Sequence, residues 1–81
     1  MISSNEIIGM IEETMSMEFE DKAKAATSTL QELGLDSLDS LELLYLVQDR
    51  FDLNIKNDRY SNFLSLSPEG ISDIINKKIN P

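Results

Sequence analysis

No side chain in this sequence can serve as a thiol nucleophile or as an imidazole base, because it contains neither cysteine nor histidine. That removes Ser-His-Asp and Cys-His catalysis. It also removes zinc sites built from imidazole or thiolate. Without disulfides, stability has to come from packing alone, and the lack of cysteine fits a reducing compartment. Positive charge is scarce: seven basic residues face fifteen acidic ones, for a net charge of -8. Binding to a nucleic-acid backbone or to anionic lipid requires clustered lysine and arginine, so neither is expected. No stretch approaches the roughly 20 apolar residues that cross a bilayer. The start, Met1-Ile2-Ser3-Ser4-Asn5-Glu6, has neither the basic nor the apolar region of a signal peptide. The expectation is a soluble, cytoplasmic, monomeric protein.

What is present suits one small helical domain spanning 1–81. Hydrophobic residues make up 41% of 81 positions, enough for a single core. The acidity has a plain reading, solubility, and a functional one, the steering of partners with basic patches. If the chain takes part in acyl or thioester chemistry, the thiol has to be imported.

Ile7, Ile11 and Met15 recur at helical spacing with Ile8 beside them, which predicts a helix from about Ser4 to Met17 capped by Ser3 or Ser4. Gly9 within it costs up to about 1 kcal/mol relative to alanine and reads as tolerated weakness. Residues 18–32 are the least patterned. Met17 and Phe19 are candidates to pin the helix end, Glu20–Ala26 has helical propensity, and Leu30 and Leu33 read as core anchors. Gly34 breaks the chain and Asp36 is a good N-cap for a helix from Ser37 to about Arg50. Its apolar residues cover more than one stripe, which predicts a helix contacted from several sides and central to the bundle. Phe51, Leu53 and Ile55 read as an inward-facing loop, and Asp58 to Leu64 as a short helix. Ser67-Pro68-Glu69 opens a last helix with Ile71, Ile74, Ile75 and Ile79 as its core stripe. The fold class is all-α: a four-helix bundle of three longer helices and one short.

Ser37 is the candidate functional residue. In isolation an Asp-Ser pair reads as an ordinary helix start. In context, Glu32-Leu33-Gly34-Leu35-Asp36-Ser37-Leu38-Asp39-Ser40-Leu41-Glu42-Leu43 resembles the signature of the acyl carrier protein family. The likeness is most specific from Leu33 to Ile55 and extends in pattern over essentially the whole chain. It implies that Ser37 receives 4'-phosphopantetheine from coenzyme A, transferred by a magnesium-dependent holo-acyl-carrier-protein synthase. It also implies a non-catalytic carrier whose arm holds acyl groups as thioesters and delivers them to transferring or condensing enzymes. Fatty acid or related acyl-chain synthesis is the expected setting.

Carried over position by position, the resemblance makes Asp36, Leu38, Asp39, Leu41, Glu42 and Tyr45 a recognition surface for partners. It makes Leu43, Val47, Phe51, Ile55, Leu64, Ile71 and Ile74 candidates to line an acyl cleft; by pattern alone they are core. Departures from the family are Thr29 where a bulky aromatic is common, Lys56-Asn57 in place of a proline, Arg59 in a usually acidic region, and Tyr45 in place of a smaller aliphatic residue or methionine. Thr29 suggests a loosely packed first loop. Together they leave room for a dedicated carrier in a polyketide, lipid-modification or aminoacyl pathway. A different class, an acidic interaction or divalent-ion protein, rests on Asp49, Asp52, Asn54 and Asp58. That set lacks the glycine of a calcium loop and is interrupted by Phe51 and Leu53.

Overall fold

The computed structural model describes residues 1–53 and 64–79. Within them lie four helices and no strand: α1 (Ser4–Met15), α2 (Lys22–Thr27), α3 (Ser37–Phe51) and α4 (Pro68–Ile79). Three are long and one is short. The short helix is α2, where propensity favoured helix over Glu20–Ala26. The helix expected over Asp58–Leu64 falls, apart from Leu64, outside the described residues, as does Ile55.

The helix starts and stops follow local chemistry. α1 begins as expected, but the Ser3 hydroxyl makes no cap; the Ser3 carbonyl instead accepts the Glu6 N–H at 3.1 Å. α1 ends two residues earlier than its apolar spacing suggests. Ser16 turns left-handed, with φ 53° and ψ 49°, and the Met17 N–H closes onto the Glu12 carbonyl at 3.0 Å. A non-glycine residue carries a steric cost there, on the order of 1–2 kcal/mol, so the sequence offered no stop signal. Glu12 gathers the exit: its carboxylate accepts the Phe19 N–H at 2.8 Å and lies 3.7 Å from the Lys22 ammonium. Phe19 packs against the core, whereas Met17, its expected companion, is exposed. Asp21 caps α2 by accepting the Lys24 N–H.

The core joins Ile7, Met10 and Ile11 of α1, Leu43, Leu44 and Val47 of α3, Ile71 and Ile75 of α4, and Leu30 and Leu35 between helices. Among the described residues α1 is the helix that packs on all three others. This corrects the expectation that α3 is central. α3 buries Ser40, Leu43, Leu44 and Val47, but Leu38, Tyr45 and Leu46 are 75%, 54% and 39% exposed. Residue type suggested contact from several sides; in three dimensions one face is covered.

The stretch leading to α3 is firmer than expected. Thr29 and Glu32 hold each other reciprocally: the Glu32 carboxylate accepts the Thr29 N–H at 2.8 Å and the Thr29 hydroxyl accepts the Glu32 N–H at 3.1 Å. The Leu30 N–H then donates to the Leu66 carbonyl at 3.0 Å and the Gln31 N–H to the Leu64 carbonyl at 3.1 Å. These bonds tie the approach to Ser37 to the approach to α4. Thr29 therefore secures this stretch by hydrogen bonding. α4 opens as expected, with the Ser67 hydroxyl accepting the Gly70 N–H at 3.1 Å. Of its isoleucines, Ile71 and Ile75 are buried and Ile74 is half-buried. Ile79, expected in the core, is 40% exposed at the helix end.

Candidate functional site

Ser37 is placed by the residues around it. Gly34, at φ 97°, makes the turn that ordinary side chains resist, and buried Leu35 anchors the chain just before the site. Asp36 stands at the N-cap in extended geometry. Its carboxylate accepts the Asp39 N–H at 2.9 Å, and the Asp39 carboxylate accepts the Asp36 N–H at 3.1 Å, a reciprocal capping box. Ser37 is the first helical residue and is exposed. Its carbonyl accepts the hydroxyl of buried Ser40 at 2.9 Å. The Ser37 hydroxyl itself has no hydrogen-bond partner among the described residues.

The electrostatics follow from the cap. The Asp39 N–H holds the Asp36 carboxyl below the usual carboxylate range, partly opposed by desolvation. The Thr29 N–H does the same for Glu32. The chain has no imidazole or thiolate, the usual groups for activating an alcohol at neutral pH. The arrangement presents an exposed primary hydroxyl at a capped helix start. That suits an acceptor of a group delivered by another molecule.

The expected recognition residues divide. Leu38, Glu42 and Tyr45 are exposed, and with Asp49 their spacing sets them in one stripe along α3. Asp36 and Asp39 bond to each other, and Leu41 is half-buried against the core. The return arm from Asp39 was legible in the sequence: an acid three residues after a cap is the spacing of a capping box.

Of the expected cleft residues, Leu43, Val47 and Ile71 are sealed in the core, Phe51 and Leu64 pack against it, and Ile74 is half-buried. Among the described residues, open depressions lie elsewhere. One of about 210 Å³ is bounded by Phe19, Lys24, Glu32 and Leu33, and one of about 320 Å³ by Met1, Asp73, Asn76 and Lys77. Among the described residues no three acidic side chains converge as a metal site.

Residues 5–67 match the family model described as "Phosphopantetheine attachment site". The acyl carrier protein of Bdellovibrio bacteriovorus is 45% identical over 38 residues, covering 47% of this chain and 49% of that protein. The acyl carrier protein of Trieres chinensis is 36% identical over 52 residues, 64% of each. The matched stretches thus span between about half and just under two thirds of these curated relatives. No solved structure matches the chain.

Proposed function

The chain belongs to the phosphopantetheine attachment family, and on that premise we propose that Ser37 anchors its 4'-phosphopantetheine arm. The observation that carries this is the exposed hydroxyl of Ser37, without a partner among the described residues and set at the start of α3 by the Asp36–Asp39 box. In the attachment step the Ser37 oxygen bonds to the phosphorus of coenzyme A that bears the pantetheine. The pyrophosphate link breaks and 3',5'-adenosine diphosphate leaves. The hydroxyl proton passes to a base on the holo-acyl-carrier-protein synthase. Once bound, the arm supplies a thiol that carries acyl groups as thioesters.

The chain is then a non-catalytic carrier: one cytoplasmic, monomeric domain that delivers acyl groups to transferring or condensing enzymes. Exposed Leu38, Glu42 and Tyr45 on α3, with Asp49, support docking on basic patches, with the acids speeding encounter and the apolar groups adding contact. Fatty acid or related acyl-chain synthesis is the pathway class. A dedicated carrier is the second reading, supported by the bulky Tyr45, 54% exposed in the middle of that stripe.

Mass spectrometry after incubation with coenzyme A, magnesium and a broad-specificity phosphopantetheinyl transferase tests the attachment. The wild-type chain gains one phosphopantetheine mass and Ser37→Ala gains none. An unmodified wild type, or equal gain by Ser37→Ala, overturns the proposal.

A further inference from the structure

We propose that residues 16–28, with α2 inside them, form a strap across one face of α1, and that the Glu12 carboxylate is its fastener. The strap opens as a unit while α1, α3 and α4 stay packed. This does not depend on what Ser37 carries. Both ends of the segment are fixed. At one end Ser16 turns left-handed at φ 53°, a conformation whose steric cost opening relieves. At the other, fully buried Leu30 is latched by its N–H to the Leu66 carbonyl at 3.0 Å. Between these points the Glu12 carboxylate reaches across from α1. It accepts the Phe19 N–H at 2.8 Å and lies 3.7 Å from the Lys22 ammonium. The Glu12 side chain is 14% exposed and that of Lys22 57%, so the Phe19 bond is the firmer of the two.

What lies beneath the strap is separable from the main core. Ile8 and Glu12 stand one turn apart on the same face of α1. Ile8 is buried, yet it is outside the cluster that joins α1, α3 and α4. α2 packs on α1 and α4 and itself buries Ala25. At six residues it does not persist once undocked, because isolated helices of that length are unstable in water. Its polar bonds are local: the Asp21 carboxylate accepts the Lys24 N–H, and the Thr27 and Ser28 hydroxyls donate to the Lys24 carbonyl. Phe19 is the strap's contact with the main core. That core is otherwise joined by Ile7, Leu43, Leu44, Val47, Ile71 and Ile75, none of which belongs to the strap.

Hydrogen exchange of the wild-type chain, followed by NMR at low urea concentrations, reads the opening of each amide. The Ala25 and Ser28 N–H groups report on the strap, since they bond to the Asp21 and Ala25 carbonyls and not to Glu12. Leu44 and Ile75 report on the long helices. Expected are lower protection and a weaker urea dependence at Ala25 and Ser28 than at Leu44 and Ile75. Glu12→Ala should speed exchange at Ala25 and Ser28 about fivefold, the scale of one hydrogen bond. Val47→Ala weakens the core in the closed and opened forms alike. It should therefore speed Leu44 and Ile75 and leave Ala25 and Ser28 unchanged. Equal protection and urea dependence at all four amides overturns the strap, as does acceleration of Ala25 and Ser28 by Val47→Ala. Unchanged exchange at Ala25 and Ser28 in Glu12→Ala overturns Glu12 as the fastener. Exchange of both at the rate of an unstructured peptide would show that the strap never closes, and overturns the proposal outright.

Discussion

Asn76 holds both backbone groups of Ile2. Its side-chain oxygen accepts the Ile2 N–H at 2.8 Å and its side-chain nitrogen donates to the Ile2 carbonyl at 3.0 Å, joining positions 74 apart in the chain. The pair is partly buried and ties the residues before α1 to the face of α4. Asn76→Ala removes both bonds and is expected to lower unfolding free energy by about 1–2 kcal/mol, measured by urea denaturation. Asn76→Asp keeps the acceptor and loses the donor, so it should fall between the two.

The glycines should respond in opposite directions. An added Cβ meets nothing within 4 Å at either Gly9 or Gly34, so space does not distinguish them. Gly34 has φ 97°, and Gly34→Ala should cost roughly 1–2 kcal/mol of backbone strain. Gly9 is exposed within α1, and Gly9→Ala should stabilise by about 0.5–1 kcal/mol. Thermal unfolding of the two variants beside wild type checks both signs.

Leu30 and Leu38 make a second contrast. Leu30 is fully buried beneath the turn latched to Leu66, whereas Leu38 is 75% exposed. Leu30→Ala is expected to cost about 2–5 kcal/mol by leaving a cavity. Leu38→Ala should stay within about 0.5 kcal/mol of wild type. A large loss at Leu38 in urea denaturation would show that its face is covered in the folded chain.

Acidification should weaken the fold through Asp36 and Glu32. Backbone N–H groups of Asp39 and Thr29 lower their folded-state pKa values beneath those of the unfolded chain. A depressed folded value contributes stability above the unfolded pKa, and that contribution disappears as pH falls through the folded one. Ordinary carboxylates titrate near about 4, so the urea midpoint should decline on acidification from there. Glu32→Gln should make the decline shallower. Carboxyl titration followed by NMR should place both groups below the usual carboxylate range.

Glu42→Lys should slow association with a basic partner enzyme while leaving the fold intact. Glu42 is exposed on α3, so the effect should nearly vanish at about 1 M salt, where screening acts over about 3 Å. Stopped-flow association at two ionic strengths reads it. A deficit that persists at high salt would assign Glu42 to close contact instead.

Much of the site was legible because its signals are local. Asp36 as cap, Gly34 as break, Ser37 as first helical residue and Ser67-Pro68 as helix start each depend on residues within about four positions. The end of α1 was missed because Ser16 adopts a glycine-like conformation. Exposure of Leu46 was missed because an apolar side chain does not reveal whether a neighbour covers it. The family match over residues 5–67 agrees with the resemblance read from the Leu33–Leu43 signature.

By itself the sequence determined the helical class, the charge, the lack of histidine and cysteine and the position of the presented serine. These follow from composition and from interactions between near neighbours. Tertiary structure decided that α1 rather than α3 touches every other described helix, that Leu30 and Gln31 latch onto Leu66 and Leu64, and that Asn76 clasps Ile2. Those pairings join groups far apart along the chain. They exist only once the burial of Ile7, Ile11, Leu43, Leu44 and Ile75 has brought the helices together.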